Sequence, residues 1–183
     1  CALPIYVYQQ TLGLAVLDIS SGRFSVLSCE LTREALAAEI ARLNPAELLI
    51  ADDSPILEWL DSRPVTVRQP WEFVLKTANH VLCQQFQVKD LQGFCCQDMP
   101  AAVIAAGALL QYARDTQRSA LPHLQGLRVE QASDFIYLDA ATRRNLELTQ
   151  TLAGEFQYSL AWVLDTCQTP MGSRLLRRWL HQP

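Results

Sequence analysis

No phosphate-binding loop of the form Gly-x-x-x-x-Gly-Lys-Ser/Thr occurs in this chain of 183 residues, and no Gly-x-Gly-x-x-Gly turn or Gly-x-Ser-x-Gly elbow. The commonest sequence routes to nucleotide binding and to nucleophilic hydrolysis are therefore missing. The six cysteines, Cys1, Cys29, Cys83, Cys95, Cys96 and Cys167, form no Cys-x-x-Cys pair, and no zinc-ligand spacing surrounds His80, His123 or His181. They read as reduced thiols serving as small hydrophobes, and nothing supports a redox role for adjacent Cys95-Cys96. The most apolar run, Ala101 to Leu110, is about ten residues long, too short to cross a bilayer. No signal peptide is visible, and the cytoplasm is the expected compartment. The opening Cys-Ala-Leu-Pro-Ile lacks an initiator Met, which points to an excised piece.

What is present is a well-patterned globular chain. Half the residues are hydrophobic, enough for a sizeable core. The net charge of −4 argues against nucleic-acid binding through the whole surface, and its distribution is uneven. Residues 1–139 carry ten Lys/Arg and sixteen Asp/Glu, whereas residues 140–183 carry five Arg and three acids. That shift marks a boundary, and we divide the chain into 1–132 and 133–183.

Three short β-rich runs, from Ile5, Gly13 and Phe24, are joined by tight turns and predict an antiparallel meander. Thr32 caps a helix with Leu36, Ile40 and Leu43 on one face, stopped by Asn44-Pro45. Glu47–Ala51 reads as a buried strand, residues 57–60 as a possible helical turn, and Val65–Arg68 as a further strand. Helical spacing returns from Glu72 to Phe86, with Gly93-Phe94 as the break. Pro100 opens a nearly all-apolar helix to Arg114, whose Ala105-Ala106-Gly107-Ala108 permits close approach of a sheet or another helix. Phe135–Leu138 reads as a short strand or extended exit. Asp139 then caps a helix, and Thr169 with Pro170 starts an amphipathic one bearing Met171, Leu175, Leu176, Trp179 and Leu180. The expected fold class is α/β: a ribonuclease H-like mixed sheet flanked by helices, followed by a short all-α segment.

That fold makes a metal-dependent nuclease the first enzyme to test, because two-metal phosphodiester cleavage needs clustered carboxylates. Asp18, Glu39, Asp52 and Asp53 are the candidates, but the first strand, Ile5-Tyr-Val-Tyr-Gln, carries no Asp. Asp18 also suits a turn before Ser20-Ser21-Gly22. Arg143-Arg144 and Arg174, Arg177 and Arg178 could touch phosphate, yet without interleaved aromatics they read better as a solvated helix face.

The stretches Leu138-Asp-Ala-Ala-Thr-Arg-Arg-Asn-Leu-Glu-Leu-Thr, Ser159-Leu-Ala-Trp-Val-Leu-Asp and Thr169-Pro-Met-Gly-Ser-Arg-Leu-Leu-Arg-Arg-Trp-Leu-His-Gln-Pro closely resemble the bacterial MutS family of DNA mismatch repair sensors. Leu17-Asp-Ile-Ser-Ser-Gly-Arg-Phe, Asn44-Pro-Ala-Glu-Leu-Leu and Leu110-Gln-Tyr-Ala-Arg-Asp-Thr-Gln-Arg match that family's connector in order. The resemblance implies a non-catalytic ribonuclease H-like connector over 1–132. Residues 133–183 would then be a linker and the first helices of the core, or lever, domain. It implies no catalytic, metal or cofactor site within these residues, with ATP and Mg belonging to the full-length protein; neither a Phe-x-Glu mismatch reader nor a phosphate loop is present. Implied partners are MutL, mismatched DNA through other domains, and a second MutS subunit. The MutL surface would include Asn79, His80, Gln84 and Asp115. His80-Val81 departs from the Gln pair of bacterial relatives, while Asp115 is retained.

Overall fold

A computed structural model describes all residues except 1, 20, 61–63, 118–120, 132–135, 137 and 182–183. The chain divides into two compact units, Cys1–Leu36 with Asn44–Gln131, and Ala37–Leu43 with Ala132–Pro183. Of the expected short strand or extended exit at Phe135–Leu138, Phe135 and Tyr137 lie outside the described residues, and Ile136 and Leu138 belong to no strand.

The first unit is built on a six-stranded sheet. Strands β1 (Ala2–Tyr8), β2 (Thr11–Asp18) and β3 (Arg23–Glu30) form the antiparallel meander the turns foretold, with Ile5 opposite Leu14 and Leu14 opposite Leu27. Strands β4 (Glu47–Ala51) and β5 (Val65–Arg68) extend it in parallel from β1, and with the short β6 (Arg128–Val129) the order is β5-β4-β1-β2-β3-β6. This is the mixed, ribonuclease H-like sheet expected. Strand β6, only Arg128–Val129, lies parallel to β3 at the far edge and was not foreseen. Two residues are too few to show alternation.

Helix α1 (Arg33–Leu43) starts as expected, with Thr32 Oγ1 accepting the Ala35 N–H at 3.2 Å. Helix α2 is shorter than its periodicity suggested. Pro70–Glu72 forms a single 3₁₀ turn, Val74 is extended, and α2 proper runs Leu75–Phe86. Its stop is Gln87 in the left-handed conformation (φ 55°), well before Gly93. The Gln87 N–H then reaches back to the Cys83 carbonyl, which closes the helix end.

Helix α3 (Pro100–Gln117) is buried along nearly its whole length and packs on β1, β2 and α2. Two glycines let it come close. A Cβ on Gly13 would fall 2.0 Å from the Ala101 carbonyl carbon, and one on Gly107 would fall 2.4 Å from the Ala78 Cβ. Leu82, Leu91, Val103, Leu109 and Leu110 fill the core with Phe24 and Val26. Phe24, Phe86 and Phe94 continue it outward, with centroids 6.2 and 5.1 Å apart. Among the described residues no helix is long and apolar enough to cross a membrane.

The second unit carries α4 (Ala140–Asn145), α5 (Leu160–Leu164) and α6 (Pro170–His181). All three begin on a polar cap. Asp139 Oδ1 accepts the Thr142 N–H at 2.5 Å, Ser159 Oγ the Trp162 N–H at 3.2 Å, and Thr169 Oγ1 the Gly172 N–H at 3.2 Å. The apolar stripe of α6 is only partly covered: Met171, Leu175 and Trp179 are exposed, while Leu176 and Leu180 are half-buried.

Candidate partner-docking surface

Asn79, His80 and Gln84 all lie on α2, whose opposite face is fixed by buried Ala78 and Leu82. His80 and Gln84 are exposed, whereas Asn79 is half-buried. Asn79 lines a cleft of about 350 Å³ with Leu75, Cys83, Lys89, Asp90 and Pro100. Val81 turns toward the core, as its place on the apolar face implied.

Asp115 stands near the C-terminal end of α3, its side chain 70% exposed. Gln85 Oε1 accepts a hydrogen bond from Arg114 Nη2 at 2.6 Å, tying the C-terminal turns of α2 and α3 together one residue before Asp115. Gln85 Nε2 also donates to the Leu121 and Leu124 carbonyls, at 2.9 and 3.3 Å. Asp115 meets a cation from the sheet, where Arg68 Nη2 donates to Oδ2 at 3.4 Å. Arg68 is itself held by Glu72 at 2.8 Å and lies over the Tyr112 ring, 5.5 Å from its centroid. Tyr112 in turn donates to the Glu47 carboxylate, at 2.9 Å to Oε2. Periodicity shows none of this chain, because it joins residues from β4, β5 and α3.

Two of the four carboxylates that a nuclease would need have other engagements. Asp18 Oδ2 accepts from Ser21 Oγ at 2.8 Å, which is the turn role its context suggested. Glu39 Oε2 accepts from Arg42 Nε at 2.7 Å. Asp52 and Asp53 are exposed in the turn after β4. Among the described residues no group of three His, Cys, Asp or Glu could hold a metal ion.

The arginines of the second unit do not form one solvated face. Arg144, Arg174 and Arg177 are exposed, and Arg177 lies over the Phe156 ring at 4.5 Å. Arg143 is buried, a correction to the reading of Arg143-Arg144 as solvated cations. Its guanidinium serves backbone carbonyls and His181, which is likewise no ordinary surface histidine. Arg143 and His181 are 38 residues apart, and no local signal links them.

Cys96 is buried, and burial pushes its thiol above the ordinary value, in keeping with a small hydrophobe. Cys95 beside it is exposed, in a left-handed conformation that closes the 3₁₀ turn Gln92–Phe94.

Two family models match the chain in order: MutS domain II over residues 1–125 and MutS domain III over residues 141–183. The chain belongs to the MutS family. Strands β1 to β5 and helices α1 to α3 thus fall in MutS domain II, and the helices from residue 141 onward in MutS domain III. Both are non-catalytic parts of MutS, a DNA mismatch repair protein.

Proposed function

We propose that this chain is the connector and the start of the lever of a MutS-type mismatch repair protein, and that its α2 surface docks MutL. The connector joins the mismatch-binding part to the lever and ATPase parts. It pivots as a rigid body at the junction near Ser133 to Asp139, most of which lies outside the described residues. ATP with Mg, mismatched DNA and the second subunit of the dimer engage other parts of the full-length protein, which works in the cytoplasm beside the nucleoid.

One observation carries the docking reading: α2 presents exposed polar side chains from a rigid base. His80 and Gln84 face solvent, while Ala78 and Leu82 of the same helix are fully buried against α3. A surface backed this way is pre-organised, so little order has to be gained on binding. Asn79 at the cleft and Asp115, held by Arg68, extend the polar surface.

The test uses full-length protein with exposed cysteines such as Cys95 and Cys167 changed to Ser. His80→Cys should cross-link to MutL with ATP and much less without it. Cross-linking no stronger than from surface positions outside α2 would remove the docking reading. Hydrogen exchange over residues 130–145 checks the pivot, and identical protection with and without ATP would sink it.

A further inference from the structure

Two side chains, Arg143 and Thr149, converge on one imidazole in the second unit. Arg143 Nε donates to the Leu138 carbonyl at 3.0 Å. Its Nη1 donates to the His181 carbonyl at 2.7 Å and lies 3.2 Å from His181 Nδ1. On the other side of the ring, His181 Nε2 lies 3.1 Å from Thr149 Oγ1. A guanidinium carries only donors, so Nδ1 must accept and the ring proton of neutral His181 sits on Nε2, directed at Thr149.

We infer that Arg143 and His181 form a clasp that is closed while the imidazole is neutral and opens when it takes a second proton. That proton can go only to Nδ1, where it would face the Nη1 donor with no acceptor between them. Among the described residues, the charges that act on the ring are cations, Arg143 from α4 and Arg42 from α1, the latter paired with Glu39; Thr149 is neutral. Burial first, then these two arginines, hold the His181 pKa below its ordinary value.

The clasp joins two ends of the same unit. Leu138 directly precedes the Asp139 cap that begins α4, and His181 lies in the last turn of α6. The final carbonyls of a helix have no partner within it. Arg143 supplies one for His181 and places a positive charge at the negative end of α6. One guanidinium therefore makes the entry to this unit and the end of α6 move together. The sign follows from the depressed pKa. The clasp is complete above the ordinary imidazole value of about 6.5 and is lost as pH falls through the lower folded-state value.

The whole 183-residue chain is used for the test. Its three imidazoles are followed by carbon-13 NMR across pH 4 to 8, with His181→Gln assigning the third. The expected result is a His181 midpoint below 6.5 and a Cδ2 shift marking the Nε2–H tautomer at neutral pH. Amides of the last turn of α6 should then exchange several-fold faster in acid, after correction for intrinsic rates. In His181→Gln the amide can accept from Arg143 and donate to Thr149 but cannot protonate, so protection should persist and its pH dependence should vanish. Arg143→Met should raise the midpoint; if it unfolds the unit, the wild-type titration and the Gln variant still decide. A midpoint at or above 6.5, an Nδ1–H tautomer, or pH dependence surviving in His181→Gln would each overturn the clasp.

Discussion

Gly107 of α3 meets Ala78 of α2 so closely that a methyl on Gly107 would stand 2.4 Å from the Ala78 Cβ and 2.5 Å from its Cα. Exchanging a helical Gly for Ala normally gains about 1 kcal/mol. Here the new methyl meets another helix's backbone, which cannot swing aside, and overpacking typically costs about 1–3 kcal/mol. Gly107→Ala should therefore destabilise the first unit by about 1–2 kcal/mol in urea unfolding. Adding Ala78→Gly removes the nearer of these two contacts, so the double variant should lose less than the two single losses combined. A Gly107→Ala protein as stable as its parent would mean that α2 can shift away from α3.

How far the sequence foretold this depends on the span of each signal. The small residues at 105–108 announced a close approach, and the meander, the Thr32, Asp139 and Thr169 caps and the all-apolar α3 were all readable from neighbours in sequence. Periodicity overran at α2, because Phe73 and Val74 fit the stripe although the chain there is a 3₁₀ turn followed by an extended cap. Strand β6 was missed because its support is tertiary. Glu130 N–H bonds to the Val26 carbonyl at 2.8 Å, more than a hundred residues away in sequence. For the proposed docking surface, the resemblance names α2 and Asp115, but nothing local in the sequence points to the Arg68 guanidinium that reaches Asp115.

The Arg23–Glu130 ion pair closes the β6 edge. Glu130 is nearly buried at 6% side-chain exposure while Arg23 keeps 24%, so part of the charge on Arg23 remains hydrated. Removing one partner of a fully buried pair costs about 3–5 kcal/mol, and the partial exposure here lowers that to about 1–3 kcal/mol for Glu130→Ala. Glu130→Gln retains an acceptor and should cost less. The loss should be local as well as global, with the amide of residue 130 exchanging faster because β6 has only two residues. Unchanged protection there would show that β6 is held by something other than this pair.

Asp139 caps a helix of only six residues, so α4 depends heavily on its first turn. The Thr142 N–H and hydroxyl, bonding to its carboxylate, hold the Asp139 pKa below the ordinary carboxylate value. The cap therefore contributes stability above that value and loses it as pH falls through the lower folded-state pKa. Asp139→Ala should abolish protection of the Thr142 amide at neutral pH. Asp139→Asn, also a good cap, should preserve it without the loss in acid. Acid sensitivity equal in the Asn variant and the parent would assign the effect to another group.

Tyr112 gives a test at the opposite end of the pH scale. Its hydroxyl donates to Glu47 at 2.9 and 3.0 Å, and Glu47 also accepts from Thr66 Oγ1. The hydrogen bond to Glu47 first, then burial, raises the Tyr112 pKa above 10.0, because a phenolate would lose that bond and repel the carboxylate. The contribution is thus present below the unfolded value and is lost as pH rises through the folded one. Tyr112→Phe should cost about 1.5–3 kcal/mol at pH 7, the usual worth of a hydrogen bond to a charged group. The parent-minus-variant absorbance at 295 nm should show one tyrosine ionising late. Because the Tyr112 ring lies beneath Arg68, which retains Asp115, the Phe variant keeps the platform and should leave MutL cross-linking at position 80 unchanged. A difference spectrum that titrates like free tyrosine would show that Glu47 does not hold the phenol in solution.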